Sequence, residues 1–210
     1  MEDKTITMPV IALRGMTVLP KMMIHFDISR SKSIAAVEKA MIGDQRVCLV
    51  TQKNSEEADP GVDELHSVGC VALIKQLVKI PNNVVRVMVE GQERVELLGL
   101  DSEEPMLVGE IGTLTESEDS LDYVTRQAMV RILKEKLEEY GKENPRMLKE
   151  VFPNLMMITD LGELLDQIAI QLTWDYKNRQ KVLECVLLEE RYETVMRNLL
   201  TEIEITRVKR

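Results

Sequence analysis

Residues 64–98, ELHSVGCVALIKQLVKIPNNVVRVMVEGQERVELL, leave little choice of local structure. A β-rich run over 68–80 meets Pro81-Asn82-Asn83, and a strictly alternating strand over 84–90 then closes on Gly91. Asparagine tolerates the left-handed backbone that tight turns need, and proline removes a ladder donor at the corner. The segment predicts a long β-ribbon. Successive side chains on a strand point to opposite faces, so Val85, Val87 and Val89 share one face and Arg86, Met88 and Glu90 the other. Three valines on one register face a core. Met88 then points outward among charges, as on a surface built to touch something.

Around this ribbon, residues 1–115 read as strands. Further runs cover 6–13, 23–28, 46–51, 93–100 and 106–114. Pro9 marks the first as an edge strand or a strand start. One helix interrupts them, capped by Ser31 or Ser33 and ended by Gly43. Residues 54–63 form a polar loop. Six or so strands with scattered turn signals predict a compact barrel-like sheet.

Beyond Glu116 the period becomes helical. An acidic, serine-bearing stretch precedes a helix over 121–140, whose apolar positions Leu121, Val124, Ala128, Ile132, Leu133 and Leu137 recur at three and four, with Gly141 as its end. Pro145 opens a second helix at a position where no donor is lost. Asp160-Leu161-Gly162-Glu163 is a capping box, and another short helix follows Asp175. Residues 116–187 form a helical bundle on this reading, and 188–210 begin a long helix of roughly 33 Å at 1.5 Å per residue. Its stripe of Leu188, Tyr192, Met196 (or Val195), Leu199 and Ile203 predicts packing partly on the bundle and partly on another chain, as in a coiled coil. No Gly, Asn or Pro stops it before Arg210, which suggests a helix that continues in a longer chain.

The formal net charge of −9 is shared by both halves. No segment has the concentrated basic footprint that phosphate-backbone binding needs, so nucleic acid is not the expected partner. Cys48, Cys70 and Cys185 are odd in number and lie in apolar runs, as buried reduced thiols do. No signal peptide and no membrane-length apolar stretch is present in the sequence, which predicts a cytoplasmic protein. The glycines form no nucleotide-binding or nucleophile-elbow motif. His25 and His66 cannot supply a metal cluster. Carboxylates such as Glu135, Glu138 and Glu139 are interleaved with lysines on a solvated face. No catalytic constellation, cofactor site or metal site is expected. This chain binds rather than converts.

Thirteen methionines stand beside two Phe and one Trp. Most fill an aromatic-poor core, yet methionine surfaces also repack around varied ligands. The candidate binding patch is Val18, Leu19, Pro20, Met22 and Met23, an apolar stretch around a proline turn that includes Lys21, together with Met88. Such a patch suits degenerate apolar segments of unfolded polypeptide.

Taken in order, MPVIALRGMTVLP, SRSKSIAAVEKAM, LVTQKN and the ribbon itself resemble the amino-terminal domain of the ATP-dependent protease Lon. DQIAIQLTWDYKNRQKVLE and LLEERYETVMRNLL resemble its helical part. The resemblance implies an α+β chain: a PUA-like β pseudo-barrel with one helix, then an α-helical bundle ending in a long helix. It also implies a parent homohexamer that recognises unfolded or damaged proteins. ATP, Mg, an AAA+ ATPase and a Ser-Lys protease module would all lie further along that parent. The isolated chain is expected to be a monomer or dimer. Ala12 stands where the family commonly has Pro, His25 where Pro is frequent, and Asn82-Asn83 where Asp-Gly usually makes the turn. The competing expectation is a stand-alone small-molecule or degron-binding module. An aromatic cage for such a ligand needs several Trp or Tyr, and the lone Trp174 reads as core.

Overall fold

A computed structural model describes residues 5–114 and 121–209. The chain divides into two compact units, Met1–Leu114 and Thr115–Arg210. The acidic stretch expected before the first bundle helix lies largely outside the described residues.

The first unit carries β1 (Thr5–Leu13), β2 (Met23–Ile28), α1 (Ser31–Ile42), β3 (Arg46–Thr51), β4 (Val68–Ile80), β5 (Val84–Ser102) and β6 (Leu107–Thr113). The strands run in the order β2-β5-β4-β3-β1-β6, and β5 pairs with β6 as well, so the sheet closes on itself as a pseudo-barrel. One pair, β1 with β3, is parallel, and α1 lies within the crossover that a parallel pair requires. Val10, Cys48, Val71, Val95 and Ile111 fill the interior.

The ribbon forms as its residues dictate. Ile80 pairs with Val84 across the Pro81-Asn82-Asn83 loop, and both asparagines are left-handed, with φ of 69° and 58°. Val85, Val87 and Val89 are buried. Gly91, however, does not end the strand. β5 runs on for 19 residues, its first half pairing with β2 and its second with β6. Register shifts between Val71 and Ala72, and between Ile74 and Gln76, bend the ribbon so that one strand serves both sides of the barrel. β1 is not an edge strand either. Pro9 pairs opposite Val108 on β6, just before β3 begins to pair at Val10, so its missing donor falls where β1 has a single neighbour. Neither candidate serine caps α1. Arg30 holds the cap position without a side-chain cap, and its guanidinium instead donates to the Ala12 carbonyl at 2.6 Å, tying the helix to β1.

The second unit is a bundle of α2 (Tyr123–Glu143), α3 (Pro145–Glu150), α4 (Phe152–Met156), α5 (Leu161–Gln171), α6 (Tyr176–Glu184) and α7 (Leu188–Val208). Asp160 and Asp175 cap α5 and α6 as the sequence reads, accepting backbone N–H bonds from Glu163 and Asn178, whereas Asp122, expected inside the first helix, instead caps α2 by accepting from Thr125 N–H. Pro145 stands at the first turn of α3 as expected. Gly141 does not stop α2. It is buried within the last turn, where a Cβ would come within 2.8 Å of Leu148 Cδ1, so α3 packs over it. The α2 stripe is also rotated from its expected position. Val130, Leu133, Leu137 and Gly141 are buried, while Val124, Ala128 and Ile132 are exposed.

Cys48 and Cys70 are fully buried, and Cys185 is half-buried. Burial pushes the Cys48 thiol far above its ordinary range, with Cys70 adding to the shift. A thiolate-selective disulfide reagent at neutral pH should therefore modify Cys185 alone in the native protein and all three thiols after denaturation. Rapid native reaction of a second thiol would contradict the packing of β3 against β4.

Candidate binding face

β2 is the edge strand that shapes the site. It pairs antiparallel with β5, placing Met23 opposite Glu90, His25 opposite Met88 and Asp27 opposite Arg86. On its other side Met88 lies opposite Gln76 of β4, and Arg86 opposite Val78. Alternation puts Met23, His25, Met88, Arg86, Gln76 and Val78 on the outer face, away from the valine core. Met23 and Met88 are diagonal neighbours across the pair, within reach of long side chains.

The chain enters β2 through a tight turn. Met22 N–H donates to the Leu19 carbonyl, Lys21 N–H to the Gly91 carbonyl, and Gly91 N–H to the Met22 carbonyl. Lys21 is left-handed, with φ of 65°. A Cβ on Gly91 would lie 2.1 Å from the Leu19 carbonyl oxygen, so glycine at this point of β5 is what allows the turn to dock. Behind the turn, the hydroxyls of Thr17 and Thr51 are 2.8 Å apart, and Thr51 Oγ1 donates to the Met16 carbonyl.

This docking divides the candidate patch. Met23 is 55% exposed, and Pro20 and Met88 are half-buried on the surface. Val18, Leu19 and Met22 are not surface residues: they are 1%, 0% and 4% exposed. The proline turn folds its apolar side chains inward to plug the barrel, which corrects the expectation that the whole stretch faces outward. Sequence reading did not single out Gln76, Val78 and Arg86. With His25 and Met88 they line a cavity of about 230 Å³. That is smaller than the ~300 Å³ lower bound of drug-sized sites and closer to the size of one or two side chains. The strand register that assembles them is a long-range property with no local signal.

Two ion pairs fence the apolar strip. Arg86 holds Asp27 through Nε and Nη2 at 2.8 and 3.1 Å, and Lys75 pairs with Glu90 at 3.1 Å. The Arg86 hydrogen bonds hold the Asp27 carboxyl below its usual range, and Asp27 in turn raises Arg86. The Asp27 carboxylate is therefore charged at neutral pH, and Asp27 and Glu90 both already have cationic partners. The surface offers apolar contact at Met23, Met88 and Val78, with specificity at its margins. Among the described residues no group of three or more His, Cys, Asp or Glu is placed to hold a metal ion.

The stripe on α7 packs on the bundle, one half of the expected arrangement. Leu188, Leu199 and Ile203 are buried, as are Val195 and Arg191, because α7 packs against α2, α5 and α6. Tyr192 and Met196 are half-buried. The buried part of the stripe is thus used within this chain, and Tyr192 and Met196 keep part of their surface open. Leu200, Ile205 and Val208 are the exposed apolar positions of this helix among the described residues.

Residues 7–201 match the family model described as the ATP-dependent protease La (LON) substrate-binding domain. The Lon protease of Lachnoclostridium phytofermentans is 38% identical over 210 residues, covering 100% of this chain and 26% of that protein. Lon protease 1 of Hydrogenovibrio crunogenus is 36% identical over 196 residues, covering 93% of this chain and 24% of its own length. The chain spans about a quarter of the length of these curated relatives. Among solved structures, the N-terminal domain of Mycobacterium avium complex Lon protease superposes with a TM-score of 0.71 at 19% identity, covering 94% of this chain and 98% of that one. A Lon N-terminal domain protein from Xanthomonas campestris gives 0.62 at 15% identity, covering 91% and 97%.

Proposed function

Because this chain belongs to the family of ATP-dependent protease La (Lon) substrate-binding domains, we propose that it is the non-catalytic recognition part of an ATP-dependent serine protease that degrades misfolded and regulatory proteins. Catalysis by a Ser-Lys dyad and ATP hydrolysis with Mg belong to the remainder of the parent on this reading, while this chain also helps to assemble the parent into a hexamer. The protein acts in the cytoplasm, in keeping with the observation that no described helix is long and apolar enough to cross a membrane.

The observation that carries the reading is the outer face of β2, β5 and β4. Its methionines are flexible, polarisable and bordered by ion pairs, a chemistry that accepts many apolar segments without selecting one shape. Each apolar side chain buried there offers about 1.5–3 kcal/mol gross, and ordering of the captured segment offsets much of that. Single contacts are therefore weak. Several linked copies acting on one unfolded chain gain effective concentration, so weak sites suffice.

Met88→Asp tests this. The outward position predicts a stability change of about 1 kcal/mol or less. Affinity for a permanently unfolded model polypeptide should fall by about tenfold, the lower end of one lost apolar anchor. Met157→Asp, at an exposed methionine of the bundle, is the matched control and should bind as the parent does. Unchanged binding by Met88→Asp would remove the face from the mechanism, and a large fall in melting temperature would show that Met88 is core.

A further inference from the structure

A cavity of about 330 Å³ opens at the N-terminus of α1 and shares no lining residue with the methionine face. Part of its wall is apolar: Val10, Ala12 and Leu107 of the barrel core reach it, and Pro60 joins them from the loop between β3 and β4. The remainder is polar. The first helical bond of α1 runs from Ile34 N–H to the Arg30 carbonyl, so the N–H groups of Ser31, Lys32 and Ser33 have no partner among the described residues. No side chain caps them, and the first turn holds no acid. Ser33 is an independent sign that a ligand belongs here. It is 6% exposed and lines the cavity, and its hydroxyl makes no hydrogen bond among the described residues, yet it is not sealed from solvent. A buried hydroxyl left in this way carries a desolvation cost that a ligand or a water would relieve. Arg30 is half-buried, and its one hydrogen bond among the described residues goes to the Ala12 carbonyl. Burial first, and then the nearby Arg14, hold Arg30 below its ordinary range.

We propose that this cavity binds a carboxylate with one small apolar group beside it, as the carboxy-terminal residue of an unfolded polypeptide presents. The polypeptide source rests on the recognition role proposed above. The free N–H groups of α1, the Ser33 hydroxyl and the Arg30 guanidinium are all donors, and a carboxylate brings two acceptor oxygens. Charge decides between anions. Lys32 Nζ lies 2.7 Å from Asp59 and 3.2 Å from Glu104, so these three groups leave one negative charge, which Arg30 cancels. The helix terminus adds about half a positive charge. A single negative charge is nearly balanced there, whereas the second charge of a phosphate dianion would face Asp59 and Glu104 uncompensated. A cation would find both carboxylates already paired, and a wholly apolar ligand would leave Ser33 unmet. The apolar wall suits an aliphatic side chain, and Asp59 and Glu104 keep lone pairs for the N–H of the terminal residue. The volume is at the low end of the range for ligand pockets, enough for one such residue. A free small carboxylate shares this chemistry.

The test titrates the full chain into the peptide Gly-Ser-Gly-Ser-Gly-Val, labelled with fluorescein at its amino end and read by anisotropy, once as the free acid and once as the carboxy-terminal amide. The acid should bind saturably and the amide at least about tenfold more weakly, as loss of charge-assisted hydrogen bonds implies. Ser33→Ala removes a hydroxyl that has no partner in the fold, so the melting temperature should hold while affinity for the acid falls about fivefold. Ser31→Asp puts a carboxylate into the first turn, which favours the helix and takes the place of the anion. Its melting temperature should hold or rise, and the difference between acid and amide should vanish. Met88→Asp should bind this peptide as the parent does, so a failed titration strikes the cavity alone and leaves the methionine face to its own test with a long unfolded chain. Displacement of the peptide by N-acetylvaline at equal concentration names free small carboxylates as the source, and a peptide at least about tenfold tighter names the chain terminus, the gap of one or more further hydrogen bonds. Equal binding of acid and amide, no saturable binding, unchanged affinity in both serine variants, or stronger displacement by inorganic phosphate than by N-acetylvaline would overturn the proposal.

Discussion

Arg191→Ala should destabilise the helical unit by about 3–5 kcal/mol, the range for removing one member of a buried charge pair. Arg191 is fully buried on α7. Its Nε donates to the Cys185 carbonyl at 2.9 Å and its Nη2 to the Val186 carbonyl at 3.2 Å, so it clasps the chain between α6 and α7. The nearest Asp166 oxygen, on α5, is 3.9 Å from Nη1. That separation is long for a hydrogen bond, and the carbonyl bonds are the firmer part of the clasp. Truncation would leave two carbonyls without this donor and the buried Asp166 carboxylate without its positive neighbour. Arg191→Lys keeps the charge but cannot span both carbonyls, so its loss should be intermediate. Urea unfolding followed by Trp174 fluorescence reads this unit directly, since the only tryptophan lies within it. A cost for Arg191→Ala below about 1 kcal/mol, the worth of one ordinary hydrogen bond, would show that the clasp is not structural.

Gly91→Ala should cost the barrel unit about 3 kcal/mol, the upper end of what an added methyl exacts in a packed site. The clash is with the Leu19 carbonyl oxygen, 2.1 Å from the new Cβ, and backbone cannot rotate aside as a side-chain tip would. Relief requires the Leu19–Met22 turn to lift away, breaking its two hydrogen bonds with Gly91 and uncovering Leu19 and Met22. The same movement shifts Pro20 and Met23 relative to Met88. Affinity for unfolded polypeptide should therefore fall along with the melting temperature. Gly99→Ala, further along β5 where a Cβ meets nothing within 4 Å, is the control and should change little. Equal behaviour of the two variants would refute the docked turn.

These two variants also mark where sequence reading reached its limit. The ribbon, its asparagine turn and the outward side of Met88 follow from alternation and turn chemistry, which act over a few residues. The Asp160 and Asp175 caps and the long α7 were legible for the same reason. Gly91 carries no such local cue. Read alone, a glycine after an alternating run is a strand end. Only the arrival of Leu19 above β5 shows it to be a point of close approach within a continuous strand.

Depth was likewise not legible. Val18, Leu19 and Met22 belong to the same short apolar stretch as Met23, and nothing in their order says which of them the barrel end takes in. Hydrogen bonding of the turn to β5 made that choice. A helical stripe has the same ambiguity, because its period states which residues share a face without stating what covers it. On α7 the cover proved to be α2, α5 and α6 of the same chain.

The sequence by itself determined the β-then-α order, the ribbon with its turn, the family and the likeness of its recognition role, because all rest on short-range pattern and on blocks repeated in order. Tertiary structure alone decided which methionines reach the surface, how β5, lying between β2 and β4, brings them beside Val78 and Arg86, and how Arg30, Ser33 and Leu107 meet around one cavity. Those are contacts between residues far apart in sequence or on different elements, fixed by strand register and helix packing, which no local periodicity encodes.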